Sequence, residues 1–469
     1  MGAPLMIGVA GIRGIVGESL TPEVVSRFAA AFARGLERGA VIVGRDARPS
    51  GAAVYHAVAA GVMGAGRDVI DLGLATTPTT EIAVEHLRGA GGIVLTASHN
   101  PAPWNALKFL SARGEFLGPR AGLKVRARFD RGRALWVGAT RLGAEARENA
   151  ALDWHLERVL SLPALDLERI RARALTVAVD GCASVGGLAV PRLLERLGAR
   201  VIEVDCVPNG RFTRELEPLP EHLGRLGDAV RAGGADFGVA LDPDADRAAL
   251  VDGTGTPLGE EYTVALGTQV VLSRRRGPVV TNLSTSRIVD AVCERAAVPL
   301  YRSPVGEAHV VAMMRARGAV AGGEGNGGMI VPDAHFGRDG LVATALVAQA
   351  LAASGRNVRE LADDLPRLHM LKTKLPRPDE SWERIDARLT RAFKGHARRT
   401  LDGLHLSHAD EWVHVRASGT EPVVRVIAES PDPARTRALV ATARAALAGR
   451  GAGRSQRAQA RGRTRTRKG

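Results

Sequence analysis

At 469 residues the chain is longer than one hydrophobic core supports, and it predicts three or four domains. Its 45% hydrophobic and 24% charged residues are ordinary for a soluble globular protein, and aromatics at only 4% argue against a base-stacking surface for single-stranded nucleic acid. The formal net charge of +14 suits an anionic ligand, although eight of the cations lie between Arg450 and Gly469 with no acidic residue among them.

In chain order, apolar runs alternate with helical patterns. Ala40–Val43 predicts a strand, residues 51–65 a helix, and Asp68–Gly73 and Gly92–Thr96 two further strands with a helix between them. The rhythm restarts with a strand at Ala174–Asp180, a helix over Gly187–Leu197 and strands at Val201–Asp205 and Phe237–Leu241. It restarts again after Asp252-Gly253, with a helix over Glu261–Leu272, a strand at Pro278–Thr281, a helix from Ser286 and a strand at Gly318–Ala321. Strands joined through helices predict α/β layers with largely parallel pairing. Leu341–Ala353 is apolar, shorter than a membrane span and interrupted by Gln349, which predicts a buried helix. The Pro-rich Leu375-Pro-Arg-Pro378 predicts a linker or domain boundary. A helix near Trp382–Phe393, strands at Trp412–Arg416 and Val423–Glu429, and a helix at Pro433–Ala448 then predict a smaller α+β domain.

The expected organisation is α/β: three similar α/β sandwich domains over residues 1–150, 151–253 and 254–370, an α+β domain over 371–449, and a basic tail over 450–469. The tail is rich in Gly, Ala, Arg and Gln without apolar periodicity, which predicts disorder and at most non-specific contact with nucleic acid or membrane phosphates. Cys182, Cys206 and Cys293 are odd in number and widely spaced, pointing to neither a disulfide framework nor a zinc site. With no signal-peptide pattern at the N-terminus, the expected compartment is the reduced cytoplasm.

Four glycine-rich polar segments carry the candidate chemistry. Thr96-Ala-Ser-His-Asn-Pro101 follows an apolar strand, where α/β sheets place ligands, and its Asn-Pro favours a turn that exposes Ser98. Asp242-Pro-Asp-Ala-Asp-Arg247 puts three carboxylates at alternate positions after a strand, suited to one hard cation, although a solvated polar turn fits the same residues. Gly322-Gly-Glu-Gly-Asn-Gly-Gly328 permits close backbone approach to a ligand, with Glu324 and Asn326 offering an acceptor and an amide to hydroxyl groups. Arg416-Ala-Ser-Gly-Thr-Glu-Pro422 with Arg425 combines guanidinium forks, hydroxyls and a glycine amide into a phosphate cradle. Taken singly, each segment also fits a structural turn.

Together these segments resemble the α-D-phosphohexomutase family, with further matches at Gly11-Ile-Arg-Gly14, Gly44-Arg45-Asp46, Asn105 with Lys108, and Pro208-Asn209-Gly210. The resemblance implies three related α/β domains and a distinct fourth, arranged around a central cleft. It implies that Ser98 is the phosphoserine, and that Asp242, Asp244 and Asp246 bind magnesium together with a phosphate oxygen on Ser98. It also implies that Arg13, His99, Lys108 and Arg247 stand at the reacting group, with Lys108 as proton shuttle if neighbouring cations depress its pKa. Glu324 and Asn326 would read the sugar, and Arg416, Ser418, Gly419, Thr420 and Arg425 would hold the non-reacting phosphate. The implied reaction interconverts hexose 6- and 1-phosphates through a sugar bisphosphate, by a monomer or homodimer.

Departures mark the branch. Ile7-Gly8-Val9-Ala10 stands where Phe-Gly-Thr is common, Ala106 where a Gly is usual, and Asn326 and Gly328 where many bacterial members carry Ser and His. This sugar loop looks like the archaeal type, so the expected activity is phosphoglucosamine mutase, with phosphomannomutase/phosphoglucomutase as the alternative. A sugar-phosphate-binding homologue without catalysis, with a nucleic-acid-binding tail, is the reading from another class.

Overall fold

Apolar runs too short for helices form the strands on which the candidate residues sit. The computed structural model describes residues 4–8, 11–132, 135–418 and 423–449. They fall into two compact units, which divide between Leu365 and Pro366.

The first unit contains three sheets. The N-terminal sheet has seven strands in the order Met6–Ile7, Gly11–Ile15, Trp104–Leu110, Gly91–Leu95, Val41–Arg45, Val69–Leu74, Glu145–Arg147. The second runs Ala248–Asp252, Phe237–Leu241, Thr176–Asp180, Arg200–Val204, and the third Leu300–Ser303, Val279–Asn282, Ala321–Glu324, Gly328–Ile330. Pairing is parallel where a helix intervenes, as between Val41–Arg45 and Val69–Leu74. Each sheet also contains antiparallel pairing, so the expectation of largely parallel sheets is corrected to mixed ones. Loop length gives the reason. The links 96–103, 242–247 and 325–327 are too short for the crossover of a dozen or more residues that parallel strands need, so the chain turns straight back. Three of the four candidate segments are these turns.

Two helix boundaries show local chemistry setting the path. Gly318, at φ 59°, ends the helix Glu307–Arg317 in a left-handed C-cap, so the following strand begins at Ala321 rather than at Gly318. Asp339 caps the helix Gly340–Ser354 by accepting from the amides of Leu341 and Val342. That helix is buried almost throughout, as its composition predicts, and it packs on elements carrying the second and third sheets. Among the described residues no helix is long and apolar enough to cross a membrane.

The second unit holds a five-stranded antiparallel sheet in the order His369–Pro376, Val423–Ser430, Glu411–Ala417, Leu404–His408, Ala397–Arg399. The helices Trp382–Ala392 and Pro433–Leu447 pack on it, closing a core around Leu389, Val413, Val426 and Leu439. The expected linker at 375–378 is corrected here. Leu375 and Pro376 end the first strand, and proline is tolerated because that strand lies at the sheet edge. The basic tail over 450–469 lies outside the described residues.

Candidate active site

The turn after Gly91–Leu95 places Ser98 in the left-handed region, at φ 50°, a conformation that costs a non-glycine residue roughly 1–2 kcal/mol. A dense set of hydrogen bonds holds it there. The Ser98 amide donates to Thr96 Oγ1 at 2.9 Å. Arg48, itself buried against Asp46, donates to the carbonyls of Ser98, Asn100, Pro101 and Trp104. Arg13, on the strand Gly11–Ile15, reaches the same turn through Asn100 Oδ1 at 2.5 Å. His99 follows Ser98, half-buried on the turn.

The Ser98 hydroxyl donates to Asp242 Oδ2 at 3.0 Å, across 144 residues of sequence. Ala245, at φ 55°, bends the acidic loop so that one oxygen from each of Asp242, Asp244 and Asp246 lies within 4.8 Å of the others. All three are fully buried. Asp244 Oδ2 accepts from Lys108 Nζ and from Thr77 Oγ1, both at 2.7 Å, and Arg247 Nε lies 3.5 Å from Asp246 Oδ1. Burial and the neighbouring Asp246 and Asp244 push the Asp242 carboxyl well above its ordinary range. For Asp244 burial works in the same direction, but the Lys108 ammonium and the Lys108 and Thr77 hydrogen bonds outweigh it and hold that carboxyl low.

A divalent cation fits these donors. Asp244 Oδ1 and Asp246 Oδ1 are buried without a hydrogen-bond partner among the described residues, and only Asp246 Oδ1 has a cation near it, Arg247 Nε at 3.5 Å, an arrangement that costs free energy unless further positive charge faces them. Carboxylate oxygens are the ligands that hard cations such as magnesium prefer. Ser98 Oγ belongs to the same cluster through Asp242.

Lys108 differs from expectation. Burial would lower its pKa, but Asp244 and Asp246 overcome that and raise it, the opposite direction from the depression that a proton shuttle would need. Its strand pairs with Gly91–Leu95 on one side and Gly11–Ile15 on the other, with Lys108 opposite both Val94 and Gly11.

The sugar-loop candidates lie in the same unit. Glu324 ends the strand Ala321–Glu324, buried, with Oε1 accepting from Asn282 Nδ2 at 2.7 Å and the Gly306 amide at 2.8 Å. Burial opposes its charge, yet Arg338 and these bonds keep the carboxyl below its ordinary range. Asn326 sits beside it, with its amide oxygen 3.0 Å from Arg338 Nη1 and its nitrogen 3.2 Å from the Glu324 carbonyl. Glu261 Oε2 accepts from the Ser286 amide and packs against Gly325.

Four residues that sequence reasoning missed complete this region: Thr77, Arg48, Arg338 and Glu307. For Arg338 a local signal existed, because it immediately precedes Asp339, the polar cap ahead of an apolar run.

In the second unit Arg416 and Arg425 are register partners on neighbouring strands, with Lys374 opposite Arg425 on the next. Like charges set opposite one another repel, and Asp402, 3.0 Å from Arg416, offsets part of that. Ser418 is half-buried, its amide donating to the Val423 carbonyl at 2.9 Å. Gly419 and Thr420 lie outside the described residues.

Models of the four phosphoglucomutase/phosphomannomutase domains match this chain in order: alpha/beta/alpha domain I at 4–135, domain II at 153–255, domain III at 259–369, and the C-terminal domain at 370–446. The chain belongs to the phosphoglucomutase/phosphomannomutase family. Within that family a phosphoglucomutase/phosphomannomutase of Thermococcus kodakarensis is 37% identical, over 92% of this chain and 96% of its own. A protein of Methanopyrus kandleri, named a probable phosphoglucosamine mutase, is 34% identical over 92% and 95%. The crystal structure of a phosphoglucomutase/phosphomannomutase family protein from Burkholderia thailandensis matches with a TM-score of 0.83 at 26% identity, covering 97% of this chain and 99% of its own. Phosphohexomutases are isomerases that move a phosphoryl group within a hexose phosphate, and this chain carries all four of the family's domains.

Proposed function

We propose that this protein interconverts the 6-phosphate and 1-phosphate of a hexose, with Ser98 as the phosphoryl carrier and glucosamine phosphate as the preferred substrate. The observation that carries the reading is the Ser98 hydroxyl, buried in the left-handed turn and 3.0 Å from an acidic cluster with two unpartnered carboxylate oxygens. A solvated structural serine needs neither the strain nor the cluster.

On this reading Asp242, Asp244 and Asp246 hold magnesium together with an oxygen of phosphorylated Ser98. Magnesium bound there supplies positive charge to the phosphoryl oxygens during transfer. Arg48 fixes the backbone of the Ser98 turn, so the carrier oxygen stays in line. Lys108 and Arg247 add cationic charge beside the reacting group. The raised pKa of Lys108 suits charge neutralisation. In a loose transition state the sugar hydroxyl proton departs late, so a strong base is not required. Arg416, Ser418, Gly419, Thr420 and Arg425 are proposed to grip the phosphate that is not reacting, which lets either end of the bisphosphate return its phosphoryl group to Ser98.

The choice of sugar rests on the Gly-Glu-x-Asn-Gly-Gly form of the sugar loop, which looks like the archaeal type, and on relatives such as the 34% identical Methanopyrus protein named a probable phosphoglucosamine mutase. The 37% identity to the Thermococcus phosphoglucomutase/phosphomannomutase supports the second reading, neutral glucose and mannose phosphates. Side-by-side kcat/KM for the glucosamine, glucose and mannose phosphates, with magnesium and a trace of sugar bisphosphate, decides between them. A preference for glucosamine phosphate is expected, and a preference for either neutral sugar would overturn the substrate assignment while leaving the carrier assignment standing.

A further inference from the structure

Arg338 places one guanidinium among three carboxylates drawn from three segments. Nη2 donates to Asp246 Oδ2 at 2.5 Å, Nη1 to Glu324 Oε2 at 2.8 Å and Nε to Glu307 Oε2 at 2.9 Å. The side chain is 8% exposed. Arg338 therefore touches one member of the acidic cluster and the acceptor of the sugar loop with the same planar group.

The division of oxygen atoms is informative. Asp246 gives Oδ2 to Arg338 and keeps Oδ1 without a hydrogen-bond partner among the described residues. A carboxylate clamped on one oxygen has its other oxygen fixed in direction, which is how outer partners orient metal ligands. Glu324 is clamped on both oxygens, Oε1 by Asn282 and Gly306 and Oε2 by Arg338, so its remaining lone pairs point in fixed directions too.

Two further features keep Arg338 in place. A Cβ at Gly328 would lie 2.3 Å from Arg338 Cδ and 2.9 Å from its Cγ, and the three-way clamp leaves the stem little freedom to retreat. Gly328 is thus the space that the arginine stem occupies. Next in sequence, Asp339 is held by His155 Nε2 at 2.8 Å and His335 Nε2 at 3.0 Å while capping the following helix, so the backbone that presents Arg338 is anchored.

We propose that Arg338 is a positioning residue that aligns the cation ligand Asp246 and the sugar acceptor Glu324 together, with Gly328 as its required vacancy. The proposal rests on the phosphohexomutase reading above. The test is titration of the full-length enzyme with manganese, followed by electron paramagnetic resonance, alongside sugar phosphate kinetics. Loss of an outer-shell partner lowers metal affinity about 10–100-fold, and R338M is expected in that range together with a raised KM. R338K, which keeps the charge but not the three-way fork, should fall between R338M and wild type. G328A keeps every charge and displaces the stem, so it should weaken manganese in the same direction, and it decides the matter if R338M does not fold. Wild-type affinity in both R338M and G328A would overturn the inference. Absence of manganese binding by the wild-type enzyme would instead overturn the metal reading beneath it.

Discussion

The acidic loop Asp242–Asp246 and the basic row through Lys374, Arg425 and Arg416 are opposite in charge and in setting. The loop is fully buried, and its carboxylates are held from several segments: Ser98 and Arg247 at Asp242, Lys108 and Thr77 at Asp244, Arg338 and Arg247 at Asp246. The row lies on the face of an antiparallel sheet, with Lys374 exposed and Arg416 and Arg425 half-buried. Each collects like charges that repel, and on the proposed reading each takes a ligand of the other sign. The difference in burial separates two tasks. Moving a phosphoryl group requires oxygens fixed in direction, which a buried network provides, whereas holding a phosphate requires charge and donors that can adapt.

That contrast can be broken most severely at Ser98, the proposed carrier. S98A is expected to lower turnover by about 10³-fold or more with an unchanged thermal melt, because a covalent intermediate has no second route here. Retained turnover in a coupled assay would remove Ser98 from the chemistry. Next comes D244N, which takes a charge from the cation cluster and weakens the Lys108 and Thr77 partnership. A loss on the order of 100-fold in magnesium affinity, read by titration, is expected from disturbing a ligand and its partners together. A smaller and different effect belongs to the basic row. R416A should raise KM roughly 10-fold with kcat nearly unchanged, the value of one charge-assisted hydrogen bond of about 1.5–3 kcal/mol, partly offset by solvent. A fall in kcat instead would show that this segment also aligns the reacting group.

The smallest effect concerns pH. Glu307 is lifted to about 7 by burial and by Asp246 and Glu324, against the pull of Arg338, so between its ordinary value and about 7 the folded protein binds a proton that the unfolded chain has released. Stability should therefore fall as pH rises through that window. E307Q should flatten the slope in denaturant titrations between pH 5 and 8. An identical slope in E307Q would assign the pH dependence to other groups.

What the sequence made legible was local. Ser98 and the three aspartates sit in short motifs at strand ends, so their places in the fold could be read from the apolar runs before them. Strands such as Phe237–Leu241 were legible because their runs are apolar on both faces. The strand Trp104–Leu110 was not, because Asn105 and Lys108 interrupt its apolar pattern, and Lys108 entered only through family resemblance. Leu300–Ser303 escaped notice as a half-buried edge strand containing Arg302. Residues whose role is a distant contact left little trace. Thr77 meets Asp244 from 167 positions away and Arg338 meets Asp246 from 92. The direction of the Lys108 pKa was also beyond reach, since it depends on which charges fold against it.

The helix Gly340–Ser354 has a consequence for biosynthesis. It is uncharged, buried almost along its whole length, and packed against helices that begin as early as Ala151 and strands that begin at Ala248 and Gly328. While the chain emerges from the ribosome, the second and third sheets expose the apolar surface this helix will cover, and the Ser98 turn waits for Asp242 to be made. The first unit thus gains its shared core only after Ser354 is synthesised. A chain halted before that point presents open apolar surface to chaperones and proteases.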